Sequence, residues 1–173
     1  MTYGVRLARP DELDALSAIE VAADGRFQAT PYAALVAGYP TTEIADFADA
    51  QDRWGLWVAV AGDDRAVGFA HCKPVGRGTV YVAQLSVHPD HAGNRLGAVL
   101  LERVAAFHGP RGVRRLTLTT FRDIPWNGPY YERLGFHEVP DLAAEVFLGR
   151  QVAEQVRSGF PEESRVAMAW AIG

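Results

Sequence analysis

The chain has 173 residues, 49% of them apolar, and a formal net charge of −4. A chain of this length is expected to form a single domain over residues 1–173 around one core. Its apolar fraction is ordinary for a globular protein and excludes an intrinsically disordered one. The single cysteine, Cys72, excludes an intramolecular disulfide framework and a zinc site built from several cysteines. No apolar stretch reaches the ~18 residues that cross a bilayer, so we expect no membrane span and a cytoplasmic protein.

The first half of the chain predicts a strand, helices and then a meander. Alternating residues over 3–8 predict a strand, and apolar residues recurring every three to four positions after Pro10 predict a helix that reaches Ala23. A weaker helical stretch covers residues 32–37. Three strands separated by glycine-containing turns then follow, over residues 54–61, 67–72 and 79–87. This spacing predicts an antiparallel meander.

The second half alternates helices and strands. Residues 96–107 place their apolar side chains on one helical face, and Gly109-Pro110 ends that helix. A strand is predicted over residues 116–119, a short helix over 126–134, and a last strand over 166–172. The whole order predicts an α+β (mixed α/β) fold in which helices flank a sheet.

Charge is distributed unevenly. Residues 1–52 carry nine acidic and three basic residues, a net charge of −6, which leaves +2 for the rest of the chain. An acidic segment opposite a basic one could bind a cationic ligand on one side and an anionic ligand on the other. The alternative is that both are solvated helix faces.

The segment 92–97, Ala-Gly-Asn-Arg-Leu-Gly, joins a predicted strand to the most regular predicted helix. Such a turn points backbone N–H groups outward at the positive end of the helix dipole, which suits a pyrophosphate. The alternative is a glycine turn needed only for its dihedral angles. The spacing does not fit a dinucleotide-binding Gly-x-Gly-x-x-Gly motif or a P-loop.

Two segments resemble the GNAT superfamily of acyl-CoA-dependent N-acetyltransferases. Residues 85–101, Leu-Ser-Val-His-Pro-Asp-His-Ala-Gly-Asn-Arg-Leu-Gly-Ala-Val-Leu-Leu, are similar to its acyl-CoA signature, and residues 131–136, Tyr-Glu-Arg-Leu-Gly-Phe, to the end of its helix after the fifth strand. The order of elements matches as well. The resemblance implies a GNAT fold with a central mixed, mostly antiparallel sheet that is splayed at the acyl-CoA site.

The sequence departs from the family pattern at two positions of the turn and at one asparagine. Ala92 replaces a polar residue and Arg95 replaces the middle glycine, although neither change removes a backbone donor. Asn127 is the candidate for the family's asparagine, whose usual position holds Ile124. The resemblance implies that acetyl-CoA is bound by Leu85, Ser86, Val87, Ala92, Gly93, Asn94, Arg95, Leu96, Gly97, Ala98, Asn127 and Tyr131.

The resemblance also implies direct attack of an amine on the acetyl group of acetyl-CoA. Tyr131 is the expected proton donor to the thiolate leaving group, the alternative being a tyrosine that only packs in the core. Glu20 is the first candidate for the base that deprotonates the amine, and His71 is the second. For both residues a structural role is the alternative. Gln84 cannot act as a base and can at most orient the substrate or a water.

The expected acceptor is a small, cationic primary amine, preferred over amino acids with a free carboxylate because the N-terminal part is acidic. The alternatives are a protein or peptide N-acetyltransferase and a non-catalytic acyl-CoA-binding sensor. We expect no nucleic-acid partner and leave a homodimer open. No metal site is expected, since His88 and His91 lack a third ligand, and Cys72 is not expected to act as a nucleophile. The arginines at 111, 114 and 115 either contact a CoA phosphate or are solvated.

Overall fold

The computed structural model describes residues 2–173. Within them, seven strands form one sheet in the order β1-β2-β3-β4-β5-β7-β6. The strands are β1 (Gly4–Leu7), β2 (Leu56–Val60), β3 (Ala66–Pro74), β4 (Thr79–Val87), β5 (Arg115–Phe121), β6 (His137–Glu138) and β7 (Arg165–Ala171). The helices are α1 (Leu13–Asp24), α2 (Ala33–Gly38), α3 (Ile44–Asp52), α4 (Leu96–His108), α5 (Gly128–Arg133) and α6 (Val146–Arg157).

Both faces of the sheet are covered. In β2, Trp57 and Ala59 belong to the core cluster under α4, whereas Leu56, Val58 and Val60 belong to the cluster under α1 and α3. Successive strand residues point to opposite faces, so a strand that is buried on both faces is apolar throughout. We call the side of the sheet under α4 the α4 face. The opposite side, covered by α1, α3 and α6, is called the α6 face.

The sheet opens between β4 and β5. These two strands form the parallel pair of the sheet, and their pairing covers only Thr79–Tyr81 and Arg115–Thr117. Beyond Tyr81, β4 continues to Val87 without a partner on the side of β5. The β3–β4 register also shifts between the pairs His71–Gln84 and Cys72–Val82, which leaves Ala83 as an extra residue. The bulge and the short pairing splay the two strands apart and create a gap through the sheet.

The α+β GNAT fold expected from the sequence is confirmed. The strand over 79–87 agrees with β4, and the helix over 96–107 differs from α4 by one residue. Three elements were not expected: α3, β6 and α6. In α6, Leu148 and Val152 are buried and Val156 is partly buried, an apolar stripe with a spacing of four residues that is visible in the sequence but was not assigned to a helix. Among the helices of residues 2–173, none combines the length and the apolar character needed to cross a membrane.

Candidate active site

A cleft of about 1030 Å³ lies at the gap between β4 and β5. Its walls come from α1, the strands β3, β4, β5 and β7, the start of α4, and α5 and α6. Most of the residues singled out in the sequence line it, although they are far apart in the chain. These are Glu20, His71, Gln84, Leu85, Ser86, Val87, Ala92, Gly93, Arg95, Leu96, Gly97, Asn127 and Tyr131.

The turn before α4 has the geometry of an anion site. Val99 N–H is the first to bond back along α4, to Arg95 O at 3.1 Å, so the N–H groups ahead of it have no intrahelical acceptor. Gly93 has φ +79° and a Cβ there would meet nothing within 4 Å, which leaves open space beside the turn. The helix start therefore presents donors and a positive dipole end to the cleft.

Arg95 adopts the left-handed conformation in which the family pattern has glycine. Its φ is +57° and its ψ is +19°. A residue with a Cβ pays about 1–2 kcal/mol for this conformation. The side chain is exposed and lines the cleft, so it places a positive charge next to the start of the helix.

Asn94 and Ala98 do not line the cleft. Asn94 Nδ2 donates to His91 O at 3.0 Å and to Ala92 O at 3.3 Å, so its side chain closes the turn. The backbone N–H of Ala98 faces the hydroxyl of Tyr130. The share of both residues in acetyl-CoA binding stays a prediction.

Tyr130 was not singled out in the sequence, yet its hydroxyl lies over the start of α4. A Cβ at Gly97 would approach this hydroxyl to 2.6 Å, so only glycine permits the contact. Burial raises the pKa of the Tyr130 phenol, and the positive charge of Arg95 and the Ala98 N–H oppose that shift. In the sequence, only its position next to Tyr131 indicated that Tyr130 could lie at the site.

Asn127 carries an amide oxygen that has no partner. Its Nδ2 donates to Thr120 Oγ1 at 2.9 Å, while the Oδ1 atom is buried without a hydrogen bond. A buried, unsatisfied acceptor in a cleft is suited to an N–H of a ligand. The amides of the pantetheine arm of acetyl-CoA have such N–H groups. Together with the unpaired edge of β4 and the start of α4, this atom fits acetyl-CoA.

Tyr131 lies on the α4 face and lines the cleft. It is 8% exposed, and its ring packs against Phe136 and Tyr130 with centroids 5.6 and 5.4 Å apart. Burial raises the pKa of its phenol well above the ordinary value. The phenol is therefore neutral near pH 7 and retains the proton that a donor needs.

Glu20 lies at the end of α1 and on the α6 face. Its carboxylate accepts hydrogen bonds of 3.2 Å from the backbone N–H and the hydroxyl of Thr42. The residue is only 5% exposed, and this burial raises the pKa of the carboxyl group, with a smaller contribution from the charge of Asp24. A raised pKa makes this carboxylate a better base than a solvated one.

His71 lines the same cleft from β3, opposite Gln84 of β4. Both ring nitrogens are buried without a hydrogen-bond partner. Burial and the charge of Lys73 lower the pKa of the imidazole to about 4, so it is neutral at pH 7. Gln84 Nε2 donates to Ser86 Oγ at 3.0 Å.

Other chemistry receives less support from the residues described. Burial raises the pKa of the Cys72 thiol to about 12, which keeps it protonated and weakly nucleophilic. Within residues 2–173, no group of three or more His, Cys, Asp or Glu side chains is placed to hold a metal ion.

The arginines at 111, 114 and 115 do not line the cleft. Arg115 is paired with Glu145 at 2.6 Å, and Arg111 stacks over Phe107 at 3.8 Å from the ring centroid. A role in holding a CoA phosphate inside the cleft is therefore not supported for this cluster.

The cleft thus combines a helix start suited to an anion with a buried phenol and a buried carboxylate. The sequence profile of the acetyltransferase (GNAT) family matches residues 21–136, well over half of the chain. The chain belongs to this family. It is an acetyltransferase that depends on acetyl-CoA, and the activity expected from the sequence is confirmed at this level.

Solved structures share the fold at low sequence identity. The PaiA N-acetyltransferase from Thermoplasma acidophilum, in complex with coenzyme A, is 16% identical with a TM-score of 0.67, and 99% of each chain is covered. The ribosomal-protein-S18-alanine N-acetyltransferase from Escherichia coli is 20% identical with a TM-score of 0.68, covering 99% of this chain and 95% of that one. N-acetylglutamate synthase from Neisseria gonorrhoeae, complexed with coenzyme A and N-acetyl-glutamate, is 14% identical with a TM-score of 0.71, covering 100% of this chain and 36% of that one.

Proposed function

We propose that the protein transfers the acetyl group of acetyl-CoA to the primary amine of a small molecule by direct attack. The observation that carries this proposal is the placement of Glu20 and Tyr131. Glu20 lies on the α6 face and Tyr131 on the α4 face, yet both line the one cleft that passes between β4 and β5. An amine can therefore approach from one face while the thioester lies on the other.

The amine must lose a proton before it attacks. An alkylamine has a pKa of ~10.4, and its deprotonation at pH 7 costs about 4.6 kcal/mol. Glu20 is the proposed base, acting directly or through water, because burial raises the pKa of its carboxyl group. His71, with a pKa of about 4, is a weaker base, and its unpaired ring nitrogens suit a hydrogen bond to substrate or water.

The charges of the wall around Glu20 favour an acceptor that enters as an ammonium ion. Asp24 and Glu43 line the cleft near Glu20, and Asp46 lines it as the partner of Lys73, at 3.7 Å. Such a wall raises the local concentration of a cation and helps to orient it. The acceptor amine is thus the cationic end of the substrate.

Tyr131 is the proposed donor of the proton that the leaving thiolate takes up. Burial raises the pKa of the phenol, and it would also raise that of a thiolate formed in the same cleft, because both anions lose solvation there. The difference between the two pKa values, which sets the cost of the transfer, is therefore less affected than either value. The unpaired edge of β4 at Leu85–Val87 supplies backbone donors for the acetyl oxygen, as the family pattern implies.

The fold by itself does not choose the acceptor. Among structures of this fold, one is named for acting on a ribosomal protein and another is bound to N-acetyl-glutamate. The test is release of the CoA thiol from acetyl-CoA in the presence of small amines or of peptides with free N-termini. We expect small amines to support release. Release with peptides alone would establish the protein acetyltransferase instead, and binding of acetyl-CoA without release by any acceptor would establish a sensor.

A further inference from the structure

Arg165, the first residue of β7, lies on the α6 face of the cleft. It pairs with Phe121 of β5, and cross-strand partners point to the same face. The neighbouring Val166 packs into the cluster under α4, whereas Ala167 packs against α6. Because strand residues alternate, Arg165 shares the face of Ala167. Arg165 therefore lies on the side of Glu20, away from the start of α4.

The guanidinium is buried but still reaches the cleft. Arg165 is 9% exposed and lines the cleft. Its guanidinium carbon lies 4.5 Å from the ring centroid of Phe121 and 5.3 Å from that of Phe160. Two aromatic rings thus hold the planar group by cation–π contacts.

No carboxylate compensates this charge among residues 2–173. The Nε atom donates to Gln155 Oε1 at 3.0 Å, and Gln155 Nε2 donates to Thr119 Oγ1 at 2.9 Å, so the glutamine is fixed with its oxygen towards the arginine. Neither terminal nitrogen of Arg165 forms a hydrogen bond or an ion pair with any side chain or backbone group of residues 2–173. By contrast, the half-buried Arg115 has its carboxylate partner, Glu145.

The group remains charged despite its burial. Loss of solvation lowers the pKa of Arg165 to about 10, and the groups that oppose this shift are the hydroxyls of Tyr81, Tyr39 and Tyr32. A buried cation without an anionic partner is costly for the fold, so its retention at a ligand cleft points to an anion supplied by the ligand. Two free terminal nitrogens match the oxygens of a carboxylate or phosphate.

We propose that the acceptor carries an oxyanion, a carboxylate or a phosphate, which binds the terminal nitrogens of Arg165 while its amino group lies at Glu20. This inference rests on the proposed acetyl transfer to a small amine. The acceptor is then an amine with an acidic group, such as an amino acid. The acidic N-terminal part of the sequence predicted that amines without a carboxylate are better acceptors than amines with one. The buried charge of Arg165 predicts the opposite preference.

The test compares acceptors that differ only in the acidic group. One pair is an amino acid and its amide, over a panel of side chains, and another is an amino alcohol and its phosphate ester. For the wild type we expect a higher kcat/KM for the acidic member of one pair, and that pair identifies the oxyanion. Arg165→Gln should lower kcat/KM for the acidic member by on the order of 30-fold or more and change it for the neutral member by less than about 3-fold.

Arg157→Gln is the matched control. It removes the same charge from α6, where Arg157 is exposed and paired with Glu154, outside the cleft. It should leave the acid-to-neutral ratio unchanged. Equal rates for both members of every pair in the wild type, or an equal loss for both in Arg165→Gln, would overturn the inference and leave the acetyl transfer intact.

A binding measurement separates this inference from the proposed function. If no small amine supports thiol release, the proposed function fails. The melting temperature with CoA is then measured with the acid or amide added. A rise with the acid alone that Arg165→Gln abolishes still supports the oxyanion site, and no such rise rejects it. Arg165→Gln also removes the cation–π contacts with Phe121 and Phe160, so each protein's melting temperature without ligand is its own reference and only the rise produced by the acid is compared.

Discussion

The two sides of the cleft are built in different ways. On the α4 face, the turn over residues 92–97 and the edge of β4 offer backbone groups, and they come from one continuous segment of the chain. On the α6 face, Glu20, His71 and Arg165 offer side chains from α1, β3 and β7. The proposed cosubstrate side can therefore be read from a local motif. The acceptor side exists only after distant elements have packed.

The difference extends to electrostatics. Backbone N–H groups and the helix dipole carry fixed partial charges that do not titrate. Glu20, His71 and Arg165 are titratable groups whose pKa values are all displaced by burial. We therefore expect changes of pH to affect the α6 face most. On the α4 face, an added carboxylate or a lost positive charge should act on the bound cosubstrate and not on a titration.

The largest effect is expected at Tyr131, on the α4 face of the cleft. Tyr131→Phe should lower kcat by a factor on the order of 10² to 10⁴, because it removes the proton donor, while the affinity for acetyl-CoA changes little. Tyr130→Phe is the matched control, since its hydroxyl faces the start of α4 and not the proposed leaving group; it should reduce kcat by less than about tenfold. Near-normal turnover by Tyr131→Phe in steady-state assays would show that this tyrosine only packs.

The second prediction concerns Glu20 on the acceptor side. Glu20→Gln should lower kcat/KM at pH 7 by on the order of 10², with the activity shifted to higher pH, where more of the amine is already neutral. Binding of acetyl-CoA should not change, because Glu20 lies on the other face. An unchanged pH profile would exclude Glu20 as the base and turn attention to His71.

Glu20→Gln also has an expected effect on stability, with a defined sign. Burial raises the folded-state pKa of Glu20, so ionisation of this carboxyl group destabilises the fold at pH values above that pKa. The variant should therefore have a higher free energy of unfolding than the wild type at pH 8. The difference should shrink as the pH falls towards the unfolded-state pKa of ~4.3. Denaturant titrations at several pH values measure it, and a variant that is less stable at pH 8 would contradict the assignment.

The third prediction tests the backbone site on the cosubstrate side. Acetyl-CoA at ~100 times its Kd should stabilise the wild type by about 2.7 kcal/mol. Gly93→Asp should abolish the accompanying rise in melting temperature, because it places a carboxylate beside the pyrophosphate. Gly93→Asn has the same shape and the same unfavourable φ but no charge, so it should retain part of the rise. The absence of any rise for the wild type at millimolar acetyl-CoA would remove the central claim.

The smallest effect is expected at Arg95. Arg95→Gly should be more stable than Arg95→Ala by about 1 kcal/mol, because glycine tolerates the left-handed conformation found there. Both variants should bind acetyl-CoA a few-fold more weakly than the wild type, and the gap should close at high salt as the charge is screened. Equal stability of the two variants would mean that residue 95 leaves the left-handed conformation when it is alanine.

The particular elements show how far sequence reasoning reaches. Helix α4 was predicted within one residue, because its apolar face and the Gly109-Pro110 stop are local signals. Helix α6 was missed although Leu148, Val152 and Val156 recur every four positions, which is a local signal of a helix. With α6 missed, the environment of Arg165 was missed too, since Gln155 comes from that helix. The roles of Glu20, Asn127 and Tyr131 stay predictions until the variants are measured.

The sequence by itself determined the family and the fold class, and it predicted the turn proposed to bind the cosubstrate. Each of these rests on short-range patterns: apolar periodicity, glycine placement and two short motifs, over residues 85–101 and 131–136. Only the tertiary structure decided which charges lie on the α6 face, the proposed acceptor side. The splay of β4 from β5 opens a path between the two faces, and burial there raises the pKa of Glu20 and leaves the charge of Arg165 without a partner. Desolvation depends on all the neighbours of a group at once, and residues distant in the chain supply most of them.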